Sequence, residues 1–314
     1  MMETKRLFLF AGYDKDGIID ETLLHYLRCL SQLGDIVFVM DSNATPTELN
    51  KVKDIPNVLY AVATRHGEYD FGSYKRAYMW ADEQGILNNY DWVYLVNDSV
   101  YGPLFDVKPV LLDLESRGVD LVGMTDYQDR RTLPHIQSWF VGMTRRVATA
   151  DFMREFMAGI HRETEKALIV LRYEVGLSQT VLRHGYKMST IIAGQNGDVC
   201  HALYACPTHA LHANVPFIKK AGLQNLGGLL YLYQYTTEKF ADAIKQNATR
   251  TKLPITTART EASEPRYRKY YRLTIWSVPL LTIYRQKQDN ISLVCYKSYL
   301  FDIIPLCKIF RKFN

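Results

Sequence analysis

Short apolar runs recur between residues 6 and 124, each stopping at a polar or acidic turn and each followed by a segment with helical spacing. The runs are 6–12 (RLFLFAG), 36–40 (IVFVM), 58–63 (VLYAVA), 92–96 (WVYLV) and 119–124 (VDLVGM). They are too short for helices and apolar throughout, as strands buried on both faces must be. Leu23, Leu24, Leu27 and Leu30 give one apolar face to a helix over 20–33, and further helices are expected over 46–53, 72–85 and from residue 103. Such an alternation folds as an α/β, Rossmann-type, mainly parallel sheet flanked by helices. A strand over 136–143, helices over 148–158 and 160–183, an irregular stretch at 199–220 and renewed helix from 224 complete a first region, residues 1–246.

In an open parallel sheet, ligands sit beyond the carboxyl ends of the strands. Those ends carry Gly12-Tyr13-Asp14, Asp41-Ser42, Thr64-Arg65, Asn97-Asp98-Ser99 and Thr125-Asp126, so the predicted site is this polar rim. Asp98 suits a divalent cation, since Mg²⁺ often takes only one or two protein carboxylates plus substrate phosphates; capping the following turn explains it equally. Asp70, Gly72 and Ser73 precede an expected helix whose first N–H groups would face an anion. Plain N-capping accounts for Ser73, but not for Arg65, His66, Lys75 and Arg76 crowding the same turn.

A composition of 47% hydrophobic and 23% charged residues suits a packed core, and a net charge of +5 is too weak to argue for nucleic acid, which the acidic rim also disfavours. The five cysteines lack CxxC spacing, which favours reduced thiols and a cytoplasmic setting. The N-terminal apolar run meets Gly12 too soon for a signal peptide, and no window is long and apolar enough to span a bilayer. Residues 247–264 lack an apolar period and are expected to form a linker. Residues 265–314 interleave Lys and Arg with Tyr, Trp, Leu and Ile. A helical basic extension is expected there, resting on an anionic membrane surface such as the inner face of the plasma membrane, or packed on the domain or on a second copy.

Five segments occur in order: DFGSYK (70–75), LVNDSVYGP (95–103), HIQSWF (135–140), YEVGLSQ with HGYK (173–187), and CPTHALHANVPFIKK (206–220). Together they resemble the rhamnan synthesis protein F family of polysaccharide glycosyltransferases over roughly residues 6–222, leaving the C-terminal third unaccounted for. The resemblance implies a GT-A-like fold and transfer of a sugar from a nucleotide-diphosphate donor, such as dTDP-rhamnose or a UDP-sugar. The implied acceptor is lipid-linked or a growing surface polysaccharide (O-antigen, capsule or rhamnan). Where that scheme usually has Asp-x-Asp, this chain has Asn97-Asp98-Ser99, with one carboxylate.

Mn²⁺ or Mg²⁺ is therefore expected on Asp98 completed by His209 or His212, with Lys219 and Lys220 neutralising the leaving diphosphate if no metal binds. Tyr13, Asp41 and Ser42 would hold the base and ribose, and Asp70, Gly72, Ser73, Lys75, Asn97 and Ser99 the rest of the donor. Glu174 is the expected base of an inverting transfer, with Asp126 as rival. His135, Gln137 and Ser138 would orient the acceptor sugar, or else brace the strand. Trp92 and Trp139 are expected in the core. A different class of answer is a non-catalytic subunit of a polysaccharide assembly complex that keeps the fold without the chemistry.

Overall fold

The computed structural model describes residues 4–127, 132–193, 207–226 and 232–253, and the backbone of four strands between 268 and 312. The chain divides into two compact units, residues 1–257 and 258–314.

In the first unit, β1 (Arg6–Gly12), β2 (Asp35–Met40), β3 (Val58–Ala63) and β4 (Trp92–Asn97) form the parallel half of an eight-stranded sheet. Leu9 sits in register between Val37 and Leu95. The sheet order is β3-β2-β1-β4-β8-β6, and β8 (Phe140–Thr144) runs antiparallel to both its neighbours, β4 and β6 (Leu121–Tyr127). Beyond them, β7 (His135–Ile136) and β9 (Met188–Ile192) both pair with β6.

Alternate side chains of β1 and β2 enter opposite layers, as the strand period requires. Phe8, Phe10, Ile36 and Phe38 pack with α1 (Glu21–Ser31), α2 (Pro46–Lys53) and α4 (Lys108–Ser116). Leu7, Leu9, Val37 and Val39 pack with α3 (Tyr69–Glu83), α6 (Asp151–Ala158) and α8 (Gly176–Arg183). The core is thus a three-layer sandwich, and Trp92 and Trp139 are both buried in it. Among the described residues, no helix is long and apolar enough to cross a membrane.

Several expectations shift. The strand expected over 136–143 breaks into β7 and β8, with Gln137, Ser138 and Trp139 forming the turn between them. The helix expected over 160–183 begins only at α7 (Lys166–Ile169), runs through a π-helical stretch (Val170–Val175) and continues as α8. Such bulges are frequent at functional sites. Part of the supposedly irregular 199–220 is ordered: a helix at Pro207–His212, then β10 (Ile218–Lys219), antiparallel to β5 (Val100–Tyr101). Residues 194–206 lie outside the described residues.

The helix Glu238–Arg250 overruns the expected linker start at 247. Asn247 is buried there, accepting from the Tyr101 hydroxyl at 2.6 Å and donating to Asp20 at 2.5 Å. Residues 254–264, the remainder of that linker, lie outside the described residues.

The extension is not helical. The second unit is a four-stranded antiparallel sheet, β11 (Arg268–Ile275), β12 (Val278–Lys287), β13 (Leu293–Leu300) and β14 (Ile304–Lys312), paired in chain order. Runs such as Thr282-Ile283-Tyr284 and Leu273-Thr274-Ile275 explain the correction, since β-branched and aromatic residues fit a pleated surface better than a helix. The side chains of this unit lie outside the described residues, and with them the expected contact to an anionic membrane.

Candidate active site

The rim at the carboxyl ends of β1 to β4 is a cleft with three lobes. A central lobe of about 510 Å³ is lined by Tyr13, Asp41, Arg65, Tyr69, Asp98 and Lys220 among others. A second lobe of about 610 Å³ shares Tyr13, Asp98 and Lys220 with it and extends to Asp14, Asp20, Asn247 and Arg250. A third, of about 530 Å³, shares Tyr69, Asp70 and Ser99 with the centre and reaches Gln137, Ser138, Lys166, Glu174 and Lys219.

Two lysines enter the cleft because β10 pairs with β5. Ile218 and Lys219 register against Tyr101 and Val100, and the Lys220 N–H donates to the Ser99 carbonyl at 3.0 Å. Lys219 Nζ then donates to Ser99 Oγ at 2.7 Å, while Lys220 Nζ stands 3.4 Å from Asp98 Oδ2. Burial lowers the Lys219 pKa, opposed by the carboxylates of Asp70 and Glu174. Burial likewise raises that of Asp98, opposed by Lys220. Asn97 joins the set, donating from Nδ2 to Asp70 Oδ2 at 2.9 Å and accepting from the Ser99 N–H at 3.0 Å.

Gly102 permits the close approach of the two segments. Its φ is +149°, and a Cβ there would lie 2.5 Å from Phe217 Cδ1 and 2.6 Å from the Pro216 oxygen. Gly102→Ala is expected to cost about 1–3 kcal/mol through overpacking and strain. It should also lower activity in fully folded protein by shifting β10; urea unfolding and turnover measured on one preparation separate the two effects.

In the third lobe, Glu174 is held firmly. Its Oε2 accepts from the Ser138 N–H at 2.9 Å and from the Ser138 hydroxyl. His135 Nε2 lies 3.6 Å from Oε1, while Nδ1 donates to the Leu133 carbonyl at 2.8 Å. Burial favours neutral imidazole, but the Glu174 carboxylate, the Leu133 carbonyl and the charge of Asp126 outweigh it and raise the His135 pKa. Burial also pushes Glu174 up, yet His135 and the two Ser138 donors prevail and hold it below the usual range. Glu174 is therefore a stabilised carboxylate, a weak proton acceptor near neutral pH. His135 and Ser138 serve as its supports. Gln137 lines the lobe and accepts from Thr125 Oγ1 at 2.7 Å. Asp126, at the end of β6, lines none of the three lobes and acts beside His135.

Other expected donor residues fare unevenly. The exposed Tyr13 ring faces the central lobe, with the Arg65 guanidinium carbon 5.2 Å from its centroid. Asp41 lines the same lobe but spends Oδ1 on the N–H groups of His66 and Gly67, at 2.8 and 3.0 Å. Ser42 is buried and bonds the Asp14 backbone, so it ties β1 to β2.

Gly72 and Ser73 do not offer free N–H groups at a helix start. Helix α3 already begins at Tyr69, the Gly72 N–H bonds the Glu68 carbonyl, and Ser73 is buried within the first turns. Lys75 reaches away to the carbonyls of Ala158 and Ile160, at 2.9 and 2.7 Å, capping α6. Asp41, His66 and Ser73 mimic a nucleophilic triad. However, His66 Nδ1 accepts from the Glu68 N–H at 3.1 Å, so Nε2 carries the proton facing Ser73 Oγ at 3.0 Å and is no base for it.

The expected cation ligands do not converge. His209 and His212 are exposed on their short helix, line none of the three lobes, and His212 Nε2 meets the Tyr235 hydroxyl at 3.1 Å. Among the described residues, no group of three or more His, Cys, Asp or Glu side chains is arranged to hold a metal. An ammonium stands against Asp98, and the two histidines do not complete a cation shell with it.

The sequence profile of rhamnan synthesis protein F matches residues 36–299. The chain belongs to the rhamnan synthesis protein F family. The match begins at β2 and continues into β13, so it extends well past residue 222 and covers most of the C-terminal sheet that the five motifs leave out. No curated protein matches the chain. Membership in the rhamnan synthesis protein F family assigns the chain to polysaccharide synthesis.

Sequence reasoning missed Lys166, Arg162, Glu163 and Thr164, which line the cleft from the segment entering α7. The polar string His161-Arg-Glu-Thr-Glu-Lys166 was the available signal, since no apolar period runs through it.

Proposed function

We propose that the chain is a glycosyltransferase that moves a sugar, rhamnose or another hexose, from a nucleotide-diphosphate donor to a growing surface polysaccharide or its lipid-linked precursor. The observation that carries this reading is the pairing of β10 with β5, which delivers two lysines to the carboxyl end of β4. Cations fixed where a diphosphate would depart stabilise developing negative charge without reorganising at the moment of reaction. The central lobe suits the nucleotide, with Tyr13 available to stack on the base and Lys220 near the phosphates. The third lobe suits the transferred sugar and the acceptor hydroxyl, with Glu174, Gln137 and Lys219 along its wall.

A thermal-shift screen of UDP, dTDP, UDP-glucose and dTDP-rhamnose, with and without Mn²⁺, tests the donor class. A ligand at about 100 times its Kd is expected to add about 2.7 kcal/mol of apparent stability. Absence of any shift would remove the nucleotide-sugar reading. A shift without release of nucleoside diphosphate, with acceptor supplied, would favour the non-catalytic subunit. A shift appearing only with Mn²⁺ would show that a cation arrives with the diphosphate.

A further inference from the structure

The carboxylate at the junction of the central and third lobes is Asp70, the second residue of α3. Around it stand Asp98 from the end of β4, Lys219 from β10, Glu174 from the π-helical stretch, Lys166 from α7 and the Tyr74 ring from its own helix. Its Oδ2 is oriented by Asn97 Nδ2 at 2.9 Å, and among the described residues nothing donates to Oδ1. The contrast with Glu174 is chemical. Glu174 faces three partners that each favour its ionised form, whereas Asp70 has a single neutral donor and two neighbouring carboxylates.

We propose, building on the transferase reading, that Asp70 is the catalytic base and that Glu174 holds the substrate's hydroxyls. Asp70 Oδ1 removes the proton from the acceptor hydroxyl as that oxygen forms its bond to the anomeric carbon. The bond from the anomeric carbon to the diphosphate oxygen breaks, and its electron pair leaves with the nucleoside diphosphate beside Lys219 and Lys220. The acceptor proton ends on Asp70, and water takes the acceptor's place in donor hydrolysis.

Electrostatics fit the role. Burial first, then the charges of Asp98 and Glu174, raise the Asp70 pKa to about 6 against the pull of Lys219 and Lys166. A base poised there is ionised at neutral pH yet basic enough to accept a proton. Its ionisation also opposes folding, because the folded carboxyl keeps its proton to higher pH than the unfolded chain does. Stability therefore falls as pH rises from the unfolded value through about 6.

The test uses the full chain, its Asp70→Asn, Asp70→Glu and Glu174→Gln variants, and UDP-glucose and dTDP-rhamnose as donors, with hydrolysis and transfer followed from pH 5 to 9. Asp70→Asn is expected to lose at least about 100-fold in kcat with donor KM within threefold, and to lose the acid limb of the profile. Asp70→Glu should recover part of the rate and the limb. Melting temperature should rise in Asp70→Asn, and by more at pH 8 than at pH 5, an effect that a merely structural residue would not produce. Glu174→Gln should retain the acid limb while KM rises. An Asp70→Asn enzyme turning over within threefold of the parent, acid limb intact, overturns the assignment and leaves the transferase reading standing. A parent that neither binds nor consumes any of these donors overturns both.

Discussion

Lys219→Ala is expected to lower kcat by about 100- to 1000-fold while changing donor KM little, the loss typical of removing one fixed stabiliser of departing charge. The reason lies in what the ammonium touches. Lys219 donates to Ser99 Oγ and lines the third lobe, so in the proposed transferase it would face the bond that breaks rather than the nucleotide. Lys220 lines the central and second lobes and pairs with Asp98, and its alanine variant should act mainly on KM. Lys219→Arg is a demanding control, because a planar, strongly hydrogen-bonding fork cannot replace a point charge in so enclosed a place. Steady-state kinetics on both alanine variants checks the division; equal effects on KM would place both lysines on the nucleotide.

Glu115→Ala should cost about 3–5 kcal/mol of stability, the expected result of removing one partner from a buried charge pair. Arg6, at the amino end of β1, makes a two-pronged contact with Glu115: Nε to Oε1 at 2.6 Å and Nη2 to Oε2 at 2.7 Å, with both side chains at most 7% exposed. The Tyr94 hydroxyl donates to Oε1 at 2.8 Å and completes the cluster. This cluster sits at the end of the sheet away from the cleft, so enzyme that remains folded should keep its kcat. Replacing both charges, as Arg6→Met with Glu115→Leu, should recover most of the loss, since an apolar pair of similar volume removes the desolvation cost. Urea denaturation of the single and double variants measures the difference, and a loss under 1 kcal/mol in Glu115→Ala would mean that water reaches the pair.

What was legible in the sequence follows from distance along the chain. The strands β1 to β4 and the polar residues at their ends were accessible because an apolar run and its turn are local. Asp98, Asn97 and Ser99 reach the cleft by that route alone. Glu174 lines the cleft, but the partners that hold its carboxylate are not legible locally, because Ser138 and His135 lie 36 and 39 residues away in the chain. Lys75 caps α6 rather than facing the cleft, and in sequence a basic cluster looks alike in either setting. Two-residue strands such as β5 and β10 carry no period at all, so the position of Lys219 had only the family resemblance behind it. In the C-terminal unit, frequent Lys and Arg drew attention from the β-branched residues that decide the backbone.

The partitions of the cleft are themselves ionisable: Asp98 and Lys220 stand between two compartments, and Asp70 between another two. Whatever occupies one compartment changes the charge presented to the next, and thermodynamic linkage makes that influence mutual. In the proposed transferase, a nucleoside diphosphate drawing on Lys220 would loosen its hold on Asp98 and so alter how the neighbouring compartment receives its ligand. Order of addition and the pattern of product inhibition would then depend on a few side chains in the walls.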